Sequence, residues 1–206
     1  MDPQRWIALC TRLGCRDCTP RFGILERSYA ERHRHYHTAK HIQECLHLFQ
    51  AVADLADSPD EVEFAIWLHD VIYQPARSDN EERSAELAAA WLSDCQVDSA
   101  FVDRVRRLIA STRHTEPPGS GDEALLQDID LGVLGSPPQR YAEYEAEVRR
   151  EYRWVPSFLF RRRRAEILES FLRRDTIYRT PWFVERFELT ARRNLNESVA
   201  ALRGAV

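Results

Sequence analysis

Positive charge is in short supply in this chain. Its 29 lysines and arginines are outnumbered by 33 acidic residues, for a formal net charge of −4. That balance offers no general attraction to nucleic acid or to an anionic membrane surface, so neither is an expected partner. An apolar leader is missing too: "MDPQRWIALCTRLG" carries an acidic residue at its second position and no long apolar run. It reads as neither a secretory signal nor a membrane anchor, and a cytoplasmic protein is the expectation. Cysteines number five, an odd count at irregular spacing. This argues against a disulfide framework and suits a reducing compartment. Cys15 and Cys18 form a CxxC, "CRDC", but no second such pair exists to complete a zinc site, and no strand precedes it as in a redox motif. Two ordinary cysteines near a helix end are expected. Alternating apolar and polar runs are also absent, as are internal repeats and low-complexity segments.

What is present is helical periodicity. From Thr38 to Ala56, Ile42, Cys45, Leu46, Phe49, Val52 and Leu55 recur at steps of three and four, lining one face of a helix. "SPDEVEFAIWLHDVIY" opens with Ser58, Pro59 and Glu61 in a capping-box pattern, and its helix is predicted to run to about Tyr73. "SDNEERSAELAAAWLSDC" predicts another, capped by Ser78 or Asp79. A helix follows Asp98, then the loop "TEPPGSGDE", then helices over 123–133, 138–152, 157–173 and 181–202. With 44% hydrophobic residues the chain has the makings of one sizeable core. The expected fold is all-α: a single-domain helical bundle over 1–206, with a motif-bearing core at about 29–135 and the C-terminal helices packed on it.

Three polar insertions interrupt the apolar faces. "RHRHYHTAKH" gathers His33, His35, His37 and His41 at the start of the first core helix. A His-x-x-x-His pair on a helix can chelate zinc, but the zinc-protease version needs Glu after its first histidine and Thr38 stands there. "LHD" places His69 and Asp70 between Ile66, Trp67, Leu68, Val71 and Ile72, and "QDIDLGVL" places Asp128 and Asp130 in another apolar helix. Burying ionisable groups is costly unless they are hydrogen-bonded or bind a cation. Three such insertions point to one shared partner. Imidazoles and carboxylates together suit Mn²⁺, Fe²⁺, Co²⁺, Ni²⁺ or Mg²⁺.

The order His, His-Asp, Asp on successive helices resembles the signature of the HD superfamily of metal-dependent phosphohydrolases, H…HD…D on an all-helical fold. "RHYHT", "HDVIYQPARSDNEERSA" and "DIDLGVLG" resemble an uncharacterised subgroup of predicted HD phosphohydrolases of about this length. The resemblance implies a metal held by His37, His69, Asp70 and Asp130. His37 is taken over His33, His35 and His41 because "YHTAKHI" is similar to the family's H-x-x-x-apolar helix start. Asp130 is taken over Asp128 because "DIDL" is similar to its D-A-D-L segment. The implied activity is hydrolysis of a phosphate ester or anhydride, such as that of a nucleotide, by a metal-activated water, and the implied partner is a small phosphorylated molecule.

Around that set, Arg34 is a candidate phosphate clamp, His41 and Asp128 are candidates to orient a ligand or meet substrate, and His114 is a candidate substrate contact. Asn80, Glu81 and Ser84 are candidates to line the site, with Glu81 among the catalytic candidates; helix capping is the competing account of this stretch. The four arginines of "RRRR", 161–164, turn around a helix axis and are expected to form a solvated face rather than a nucleic-acid stripe. Two other functions use the same residues: a di-iron oxygenase of the HD fold, for which few extra ligands exist, and a non-catalytic binding module.

Overall fold

The computed structural model describes residues 1–16, 18–114, 119 and 121–204. The "TEPPGSGDE" loop lies for the most part outside them. Among the described residues there are ten α-helices, two short 3-10 turns and no strand, as the periodicity predicts. None of these helices is long and apolar enough to cross a membrane. The helices fall into two compact units, Met1–Ile129 and Asp130–Val206.

The first unit holds α1 (Pro3–Arg12), α2 (Cys18–Tyr29), α3 (Ala39–Val52), α4 (Pro59–Leu68), α5 (Asn80–Asp94), α6 (Ser99–Ser111) and α7 (Asp122–Asp130). The division falls at the end of α7, so Asp130 is carried on that helix. α4 is the central element: every residue from Glu61 to Leu68 is buried, as expected of a helix with apolar residues on all sides. Its two acidic residues are compensated. Glu61 receives Arg104 in a two-pronged pair at 2.6 to 2.9 Å, and Glu63 receives Arg5 at 2.7 Å and Arg12 at 3.0 Å. Trp6 and Trp67, both fully buried, meet edge to face at 5.6 Å, and the Trp6 indole N–H donates to Cys18 O.

One predicted boundary shifts, and two predicted caps lack their side-chain bonds. The helix expected to reach Tyr73 stops at Leu68, with His69 as its C-cap, so the His-Asp pair occupies a turn rather than a helix interior. The capping box at Ser58 does not form. The Ser58 side chain caps nothing, and Asp122 instead accepts from the backbone N–H groups of Asp57 and Ser58 at 2.8 and 2.9 Å. Asp79 likewise caps α5 without a side-chain hydrogen bond, because its carboxylate is paired with Arg77.

One expectation is overturned. Cys15 and Cys95, 80 residues apart, are joined by a disulfide. An odd, irregular cysteine set excludes a framework of several bridges but says nothing against one bond between distant residues that folding brings together.

The second unit contains a 3-10 turn (Leu131–Gly135), α8 (Pro138–Glu151), α9 (Ser157–Leu172) and α10 (Pro181–Gly204), with α10 packed on both α9 and the turn. Buried Asn194 donates to Leu134 O and Ser136 O, both at 2.9 Å, and Tyr178 donates to Leu131 O. The arginine run spreads around α9 as its helical rotation demands. Arg162 and Arg163 are exposed against Glu166, whereas Arg164 is buried against Glu145.

Candidate metal centre

α3 begins later than its first histidines. Thr38 is its N-cap, accepting from Lys40 N, so Ala39 is the first helical residue and His37 lies outside the helix. His41 is then in the first turn, and its ring is directed inward, 2% exposed. One turn further along the same face, Cys45 Sγ lies 3.7 Å from His41 Nδ1. His41 thereby joins the ligand candidates. The group of three whose ligand atoms all approach within 4.8 Å of one another is His41, His69 and Asp130, a set that could hold a metal ion. His37 is not in that group; its ring stacks on Tyr73 at 4.1 Å and meets Tyr36 at 4.9 Å and His41 at 6.1 Å.

The local geometry aims ring nitrogens at one point. His41 Nε2 is 3.2 Å from His69 Nε2, and Asp70 Oδ2 is 3.5 Å from the first and 3.2 Å from the second. His69 Nδ1 lies 3.0 Å from Ile66 O. A carbonyl only accepts, so Nδ1 carries a proton there and Nε2 is the nitrogen that faces the cluster. Burial pushes the Asp70 carboxyl up, but the neighbouring His69, His37 and His41 outweigh it and hold the group below the usual carboxylate range. It is therefore a carboxylate. Two imidazoles and two carboxylates are a donor set suited to divalent Mn, Fe, Co, Ni or Mg.

The turn bearing the His-Asp pair is pinned from both sides. From the N-terminal side comes Arg34, whose side chain is fully enclosed. It donates to Glu31 at 2.9 Å, His37 O at 3.1 Å, Asp70 O at 2.6 Å and Val71 O at 2.9 Å, with the rings of Tyr29 and Tyr73 about its guanidinium. Four of its five N–H groups are thus engaged within the fold, which leaves no fork for the phosphate that Arg34 is expected to clamp. From the other side come Ser84, which accepts from Ile72 N at 3.1 Å and donates to Ile72 O, and Asn80, which accepts from Gln74 N and donates to Gln74 O. These two side chains position the turn; their bonds run to backbone. His33 joins in through Nε2, 2.8 Å from Tyr73 O.

Glu81 follows Asn80 in the first turn of α5. Burial raises its carboxyl above the ordinary range against the pull of its own backbone N–H, and the charges of Asp70 and Glu82 add to the rise. His114 sits just beyond the end of α6 with φ of 55°, a left-handed backbone uncommon outside glycine. Asp128 is buried on α7, 1% exposed. The residues that the sequence reading undervalued are His41 as a member of the cluster and Arg34 as a backbone clamp. Thr38, a favoured N-cap residue, is the signal that would have shifted the helix start and placed His41 inward. The chain matches no family model, no curated protein and no solved structure.

Proposed function

We propose that this protein is a metal-dependent phosphohydrolase of the HD type, acting on a small phosphate ester or anhydride such as a nucleotide. The convergence of His41, His69 and Asp130 ligand atoms within 4.8 Å, with Asp70 against both rings, carries this reading. The ligands are His41, His69, Asp70 and Asp130, with His41 in the place that sequence resemblance gives to His37. A divalent ion held there would polarise a phosphoryl oxygen and acidify a water beside it. The chain's own groups do the rest. The Ile66 carbonyl fixes the His69 tautomer, Arg34, Asn80 and Ser84 hold the turn that carries Asp70, and His37, packed on Tyr73 beside the ligands, meets the substrate. Glu81, in the first turn of α5 beside the turn-holding Asn80 and near enough to feel the charge of Asp70, is assigned as the proton donor to the departing oxygen.

The test is hydrolysis by the protein loaded separately with Mn²⁺, Co²⁺, Ni²⁺, Fe²⁺ and Mg²⁺, against nucleoside mono-, di- and triphosphates and cyclic dinucleotides. Asp70→Ala serves as the control. Turnover in the parent that vanishes with metal in the variant supports the reading. An inert parent across the panel, or a variant as active as the parent, refutes it.

A further inference from the structure

Within the first unit, a second polar site lies at the ends of α1 and α5. Two left-handed turns, at Gly14 (φ 72°) and Gln96 (φ 58°), present Cys15 and Cys95 to each other with their Cα atoms 4.8 Å apart. Beside the disulfide is an open cleft of about 350 Å³ lined by Gly14, Arg16, Arg21, Asp94, Cys95 and Gln96. Arg21 is buried and donates to Cys95 Sγ at 2.9 Å. It is fixed there by Trp91 O at 2.8 Å, by Asp94 at 3.2 Å and by the Trp91 ring at 5.5 Å. Arg16 is exposed, and among the described residues its side chain has no hydrogen bond or ion pair.

A half-cystine that lines an open cleft is open to a nucleophile, and with Arg21 paired to Asp94 the exposed Arg16 is the charge that favours an anionic one. We propose that this cleft takes a low-molecular-weight thiol bearing a carboxylate, and that Cys95 is its site of modification. The thiolate RS⁻ forms a bond to Cys95 Sγ, and the Cys15–Cys95 bond breaks with its electron pair leaving on Cys15 Sγ, which takes a proton from water. The products are a Cys95–S–S–R mixed disulfide and the Cys15 thiol. A second RS⁻ attacking the ligand sulfur releases RSSR and leaves Cys95 as a thiolate against Arg21, the oxidation of two RS⁻ matching the two-electron reduction of the protein. Arg16 draws in the carboxylate, while Arg21, already bonded to Cys95 Sγ, stabilises the thiolate that the second step forms. The nearby thiols do not compete: Cys10 and Cys18 are buried, and burial together with Cys18 pushes the Cys10 thiol up to about 12.

The full chain, as purified without reductant, is treated with glutathione and, separately, with neutral 2-mercaptoethanol, and adducts are followed by intact mass and peptide mapping. The expected result is a glutathione adduct on Cys95. Its rate should fall about fivefold in Arg16→Glu, the effect of reversing one exposed charge, while the 2-mercaptoethanol rate stays within twofold of the parent. A chain without the Cys15–Cys95 bond, an adduct on Cys15 in place of Cys95, or equal glutathione rates in parent and variant would each overturn the proposal.

Discussion

Arg34 separates two readings of the same side chain, and Arg34→Lys distinguishes them. A phosphate clamp would lose affinity for substrate and leave folding untouched. In the structure the guanidinium instead serves three backbone carbonyls, those of His37, Asp70 and Val71, and the Glu31 carboxylate. A lysine reaching the same enclosed space keeps the charge but satisfies about one of those carbonyls. Two are then left without a donor, at about 1.5 to 3 kcal/mol each for hydrogen bonds to a charged group. The expected loss is roughly 3 to 6 kcal/mol, a large share of the stability of an ordinary domain. Urea unfolding with the disulfide intact reads it, followed by the fluorescence of Trp6, Trp67 and Trp91, all buried in the first unit. At a slope of about 2 to 3 kcal/mol per molar urea, the midpoint should drop by roughly 1 to 3 M. Metal affinity should fall as well, although Arg34 touches no ligand atom, because the turn carrying Asp70 is released. Unfolding curves that superimpose on the parent, together with a raised KM for a phosphorylated substrate, would refute the reasoning and restore the clamp.

Metal analysis after dialysis should find that His41→Ala has lost its ion while His37→Ala keeps it, with affinity in the latter reduced by no more than about tenfold; the opposite order would return His37 to the ligand set. Glu81→Gln should lower kcat by about 10² to 10⁴ with metal content unchanged, and a variant within twofold of the parent would remove Glu81 from the reaction. In the second unit, Gly135→Ala should cost about 1 to 3 kcal/mol in a thermal melt, because the added methyl would stand 2.7 Å from Phe187 Cβ; an unchanged melt would mean that the turn moves aside freely.

The helical class was legible because local rules decide it. Steps of three and four apolar residues in α3 and the proline starts of α4, α8 and α10 depend only on residues near each other in the chain. The sequence also determined by itself that His69, Asp70 and Asp130 needed compensation, since an ionisable group in an apolar segment is costly wherever the segment goes. It could not decide which histidine of "RHRHYHTAKH" joins them. That choice rests on where α3 starts, which puts His41 in its first turn and His37 before it, with its ring stacked on Tyr73. Nor could it foresee that Arg34 would be consumed by backbone, that Asp122 would cap the chain at Ser58, or that Cys15 would find Cys95. Each of these joins residues 36 to 80 positions apart. Hydrogen-bond partners and sulfur pairs are set by proximity in space, and only the packing of the helices creates that proximity.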